Sequence, residues 1–144
     1  MTEQNKTEIK TYHALPPEAK EIREEVFMKE QGFVNEFDDI DSIATHLVLF
    51  WEGQPAGVCR FFPIKEPGVW DFGRLAVRKA YRDKHLGSLL VQEAERQIRD
   101  QGGAKLALMA QIRVQKFYEK NGYTPFGEPC DDEGCPHIWM VKVL

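Results

Sequence analysis

Phe72-Gly73-Arg74-Leu75-Ala76-Val77, followed closely by Tyr81-Arg82-Asp83-Lys84-His85-Leu86-Gly87-Ser88, is the stretch on which the fold turns. The first part has the apolar, β-compatible character of a strand, and the second is a basic loop leading into a helical pattern with small residues at its entry. A strand, a basic loop and such a helix start present backbone N–H groups to a phosphate-bearing ligand. Arg82 and Lys84 add charge beside the helix N-terminus, where the macrodipole contributes about 0.3–1 kcal/mol per favourable anion contact. The plainer reading is a basic loop opening an ordinary helix, because short glycine-loop patterns often match by chance. On these residues alone both readings stand.

Downstream, Leu86, Leu89, Leu90, Ala94 and Ile98 form one helical stripe closed by Gly102-Gly103. Leu106 to Met109 is a short, wholly apolar run that suits a central strand buried on both faces. Gln111 to Asn121 reads as a helix stopped by Gly122, and Tyr123–Gly127 and Ile138–Leu144 as final strands around an acidic turn bearing glycine and proline. Upstream, Thr7–Tyr12 alternates as a first strand. Pro16-Pro17 then opens a helix carrying Ala19, Ile22, Val26 and Phe27 to about Gln31. Gly32 to Ser42 is acidic and irregular, a loop or short helix. Ala44–Trp51 and Pro55–Ile64 form a hairpin turning at Gly53-Gln54, with Val58, Arg60 and Phe62 alternating, and Pro67-Gly68 turns into a third strand, Val69–Val77. The expected class is α/β (α+β), a mixed central sheet in the order β-α-β-β-β-α-β-α-β-β with helices packed on it.

The chain has 144 residues, enough for a single domain over 1–144 and too few for two comfortable ones. A net charge of -4 argues against general nucleic-acid binding. No apolar run approaches the length of a membrane span. Met1-Thr2-Glu3-Gln4-Asn5-Lys6 lacks the apolar core of a signal peptide, so a cytoplasmic location is expected. Cys59, Cys130 and Cys135 make no disulfide framework. Cys130, Cys135 and His137 invite the thought of a metal, but their spacing fits no standard zinc pattern and no metal is expected.

Gly73-Arg74-Leu75-Ala76-Val77, the loop Tyr81 to Gly87, and Phe117-Tyr118-Glu119-Lys120-Asn121-Gly122-Tyr123 together resemble the GNAT superfamily of N-acetyltransferases. The order of elements agrees along essentially the whole chain. Arg23 to Phe27 with Glu30-Gln31, His46-Leu47-Val48, Met109-Ala110-Gln111 and Pro136-His137-Ile138 look like its ElaA-like branch. The resemblance implies acetyl-CoA as co-substrate and a cleft where two parallel strands splay apart. The pantetheine arm would pair with main-chain groups of Leu75, Ala76 and Val77, as a peptide adds to a sheet edge. The diphosphate would rest on N–H groups of Arg82, Asp83, Lys84, His85, Leu86, Gly87 and Ser88. The family loop has glycines where Asp83 and His85 stand. Aspartate and histidine are among the side chains that tolerate positive φ, so the loop survives the change.

Acyl transfer to an amine needs a neutral amine, donors for the developing oxyanion and a proton for the departing thiolate. The resemblance gives the oxyanion to the Val77 N–H and the proton to Tyr118. On pattern alone Tyr118 is equally a core tyrosine of a stripe with Val114 and Phe117. Base candidates are His46, Asp71, Glu36 and His137, with His137 preferred. Gln111 would bond pantetheine or substrate, or simply open the next helix. The acidic run Glu36–Asp41 would attract a cationic acceptor, or is a solvated loop. The expected function is acetyl-CoA-dependent N-acetylation of an unidentified primary amine by direct attack in a ternary complex. The alternative is a non-catalytic acyl-CoA-binding or protein-interaction module. Exposed strand edges leave a homodimer open.

Overall fold

A computed structural model describes residues 6–144; Met1–Asn5, on which the leader expectation rests, lie outside the described residues. The strands are β1 (Thr7–Tyr12), β2 (Thr45–Trp51), β3 (Gln54–Pro63), β4 (Val69–Val77), β5 (Lys105–Gln111), β6 (Thr124–Asp132) and β7 (Cys135–Val143). The α-helices are α1 (Pro17–Arg23), α2 (Leu86–Asp100) and α3 (Gln115–Lys120). The strands order as β1-β2-β3-β4-β5-β7-β6, a mixed sheet in which β4 and β5 run parallel and are joined through α2. The element order is the one expected. The chain forms two compact units, one comprising residues up to Phe62 with Arg74–Ala94, the other Pro63–Gly73 with Glu95–Leu144.

In the first unit α1 starts on Pro17, whose missing N–H costs nothing in a first turn. Its buried face sets Ala19, Ile22, Val26 and Phe27 against Val48, Val58 and Ala76. The regular helix expected as far as Gln31 ends at Arg23; Glu24–Glu30 is π-helical, with Gln31 N donating to Val26 O at 3.1 Å. Bonding five residues apart stacks Glu25 above Glu30 on one side. Each takes a forked arginine: Arg78 on Glu25 at 3.1 Å through both Nε and Nη2, and Arg82 on Glu30 at 2.7 and 2.8 Å.

The hairpin turn is Glu52-Gly53, one residue earlier than expected, with both residues at positive φ (48° and 83°) as a two-residue hairpin prefers. The alternation read in β3 fails, because Ala56 to Phe61 is buried on both faces and Arg60 is only 5% exposed. Gly57 has no side chain for a reason: a Cβ there would lie 3.1 Å from Leu90 Cδ1 and 3.2 Å from the Ala76 carbonyl.

In the second unit Val69–Phe72 pairs in parallel with Lys105–Leu108, and β7 runs antiparallel to β5 from Lys105↔Val143 to Gln111↔His137. Helix α2 closes on Gly102 at φ 86°, with Gly102 N on Arg99 O and Gly103 N on Ile98 O. Its buried stripe is Leu86, Leu90, Val91, Ala94, Glu95 and Ile98; Leu89, expected among them, is 38% exposed. Gln111 ends β5 rather than opening a helix, and a 3-10 turn over Ile112–Val114 precedes α3. The final strands reach further than expected. The acidic segment belongs to β6, and only Glu133-Gly134, again both at positive φ, make the turn. Pairing of β6 is irregular between Phe126 and Cys130, where Gly127 is left-handed and Pro129 has no N–H to give.

Candidate active site

The ladder between β4 and β5 ends at Phe72↔Leu108, although β4 continues to Val77 and β5 to Gln111. Two residues past the last pair, Arg74 is left-handed at φ 49°, so β4 changes course inside the strand. After Val77 the chain makes a 3-10 turn over Lys79–Tyr81 and enters the loop Arg82–His85 before α2 begins at Leu86. Asp83 (φ 71°) and His85 (φ 60°) are both left-handed. They stand at the two positions where the resemblance expects glycine. Left-handed residues two positions apart before a helix start give the turn geometry that gathers N–H groups into an anion-binding concavity.

The basic side chains of this loop are engaged with neighbouring groups. Arg82 Nε donates to the Val77 carbonyl at 2.9 Å while its other nitrogens pair with Glu30, and Lys84 Nζ sits 4.8 Å from the centre of the Trp51 ring. Arg82 thus ties the loop to the end of β4. Leu75, Ala76, Val77 and the loop through Ser88 all belong to the first unit.

Gln111, Tyr118 and His137 belong to the second. Gln111 and His137 are direct cross-strand partners. The Gln111 Oε1 accepts Arg113 Nε at 2.7 Å. His137 Nδ1 donates to the Cys135 carbonyl at 2.8 Å. Tyr118 is buried on α3, edge-on to Tyr123 with ring centres 6.0 Å apart. Tyr123 Oη donates to Glu95 Oε2 at 2.7 Å, and Lys142 Nζ holds both oxygens of that carboxylate. Burial first, then the Glu95 hydrogen bond and charge, push the Tyr123 phenol far above its ordinary range. Its proton is committed to Glu95.

Two base candidates and the acidic run fall into a buried ionic network in the first unit. Arg23, 1% exposed, donates Nε to Glu36 Oε2 at 2.8 Å and Nη1 to Asp41 Oδ1 at 2.7 Å. Arg60 forks onto Asp38 and reaches Asp41 Oδ1 at 2.9 Å; Arg74 Nε lies 3.0 Å from Glu36 Oε2. His46 Nε2 donates to the Asp41 carbonyl at 2.9 Å, and burial lowers its pKa. Within the run Glu36–Asp41, Glu36, Asp38 and Asp41 are paired with Arg23, Arg60 and Arg74, while Asp39 is exposed. Glu36 and His46 serve as anchors in it.

The network makes stability depend on acidity. Burial pushes the Asp41 carboxyl up, but the Arg23 hydrogen bond and charge, the Asp38 N–H and Arg60 outweigh it and hold it at about 2, against an ordinary 3.8. A depressed folded pKa contributes stability above the unfolded value and loses it as pH falls through the folded one, here about 2 kcal/mol between roughly pH 4 and pH 2. Glu36 has the opposite sign: burial, opposed by Arg74, Arg23 and Arg60, raises its pKa, so its protonation relieves a penalty. Urea unfolding of wild type and Asp41→Asn at pH 5 and pH 2 isolates Asp41. The wild type should lose about 2 kcal/mol more than the variant; equal losses would refute the assignment.

Among the described residues no group of three or more His, Cys, Asp or Glu is placed to hold a metal; the Cys130 thiol lies 3.4 Å from Met109 Sδ. No described helix is long and apolar enough to cross a membrane.

Residues 11–144 match the family model described as Acetyltransferase (GNAT) domain, and the chain belongs to that family of acyltransferases. It is 32% identical over 124 residues to the uncharacterized N-acetyltransferase YjcF of Bacillus subtilis strain 168, covering 84% of this chain and 87% of that one. Its fold matches the crystal structure of Escherichia coli ElaA with a TM-score of 0.83 at 22% identity, over 94% of this chain and 99% of that one. An aminoglycoside 6'-N-acetyltransferase solved in complex with coenzyme A matches with a TM-score of 0.74 at 17% identity, over 94% and 96% of the two chains.

Proposed function

We propose that this protein transfers an acetyl group from acetyl-CoA to a primary amine by direct attack in a ternary complex. The observation that carries the reading is the left-handed pair Asp83 and His85 immediately before α2 in a GNAT domain. Main-chain N–H groups from Arg82 to Ser88 hold the diphosphate, and Leu75, Ala76 and Val77 offer their backbone to pantetheine. The amine nitrogen attacks the thioester carbon, and the Val77 N–H stabilises the oxyanion. As the C–S bond breaks, the Tyr118 phenol protonates the thiolate, and the amine proton passes to His137 Nε2. Gln111, beside His137 across the ladder, bonds the carrier or the acceptor.

The test is release of CoA thiol from acetyl-CoA on a panel of primary amines. Amine-dependent release supports the reading. Acetyl-CoA binding with no release across the panel makes the chain a binding module instead.

His85→Gly is a second check. Histidine at φ 60° carries backbone strain that glycine does not. The variant should bind acetyl-CoA as well as the wild type or better by calorimetry, whereas a large loss would give the imidazole a role of its own.

A further inference from the structure

We propose that Glu36 and Arg74 form a positioning clamp that holds residue 74 left-handed and so directs the main-chain groups of Leu75, Ala76 and Val77. The inference rests on the reading that these residues receive the pantetheine arm. Arg74 is the one strand-interior residue among the described non-glycine residues with positive φ; Glu52, Asp83, His85 and Glu133 lie in turns or loops. An arginine has no intrinsic preference for that region, and the conformation persists only where surrounding structure over-determines it.

Glu36 supplies that determination twice over. Its carbonyl oxygen accepts Arg74 Nε at 3.2 Å and Nη2 at 3.0 Å, and its carboxylate lies 3.0 Å from Arg74 Nε. Glu36 is itself fixed, since Arg23 donates to the same carboxylate and, through Nη2, to the same carbonyl. A buried arginine of α1 therefore braces a loop residue, which braces the bend in β4. The bend falls between the last residue paired to β5, Phe72, and the segment Leu75–Val77. A side chain that merely neutralised Glu36 would not need to sit there.

Arg74→Gly and Arg74→Ala separate the two roles. Both remove the clamp, but glycine takes φ near 49° freely and is the usual left-handed residue of a bulge, whereas alanine is not. With folding checked by circular dichroism, Arg74→Ala should weaken acetyl-CoA binding about 10-fold, equivalent to about 1.4 kcal/mol. Arg74→Gly should stay close to the wild type. Amide exchange at residues 75–77 in the free protein should accelerate in the alanine variant and much less in the glycine variant. Glu36→Ala removes the carboxylate half of the clamp and keeps the carbonyl, so it should give a smaller loss than Arg74→Ala, and adding Arg74→Gly should repair it. Equal losses in both Arg74 variants, or none in either, overturn the clamp while the wild type still binds. A wild type that binds no acetyl-CoA overturns the acyl-CoA reading, and the clamp with it.

Discussion

Tyr118→Phe is expected to lower acetyl transfer about 100-fold, the lower end of what a positioned general acid contributes, while leaving acetyl-CoA affinity unchanged. The ring itself is kept, and with it the edge-on packing against Phe117 and Tyr123. What disappears is the proton offered to the departing thiolate. That proton matters only as the C–S bond breaks, so kcat should fall and KM for acetyl-CoA should hold. Tyr123→Phe is the informative partner. Its hydroxyl is bound to Glu95, so its loss should reduce stability by leaving a buried carboxylate with one bond fewer, and should touch turnover far less. Thiol-release kinetics and calorimetric binding on both variants decide the matter. Equal turnover for Tyr118→Phe and wild type would remove Tyr118 from the chemistry.

The order of elements and both ends of β4 were legible in the sequence because apolar runs and Gly/Pro punctuation are local signals. Positive φ at Asp83 and His85 was legible too, since a loop pattern that expects glycine states the backbone geometry required. The ionic network was not, because it joins residues 13 to 38 positions apart whose charges look like solvated surface when read in order. One signal was present: Arg23 falls four residues after Ala19 and three before Val26, inside the apolar stripe of its helix. A charge at such a position is buried and must be paired. Arg60 sat in the same way within β3, hidden by an alternation that suits a half-exposed strand and not a central one. The π-helical segment was also illegible, because hydrophobic spacing over seven residues does not separate it from an α-helix.

Arg23→Ala should be the most destabilising single change, by about 3–5 kcal/mol, the usual cost of removing one partner from a buried ion pair. Against a total of about 5–15 kcal/mol this is a large share, and calorimetry should show a melting temperature lower by about 10 °C or more. Glu36 and Asp41 have side chains only 5% and 9% exposed, so neither can recover in water what the guanidinium supplied. The cost comes from leaving Glu36, Asp38 and Asp41 with only Arg60 and Arg74 to balance them, a negative charge in excess, and that has a checkable consequence. In the Arg23→Ala background, Asp41→Asn should restore part of the loss, although the same change in the wild type destabilises. Arg23→Lys should fall between, because one ammonium cannot reach both the Glu36 and Asp41 carboxylates in the forked geometry of arginine. Arg23→Ala within about 1 kcal/mol of the wild type would mean that water enters and solvates the carboxylates, the situation of an exposed pair. The loop from Glu36 to Asp41 would then be held by Arg60 and Arg74 alone.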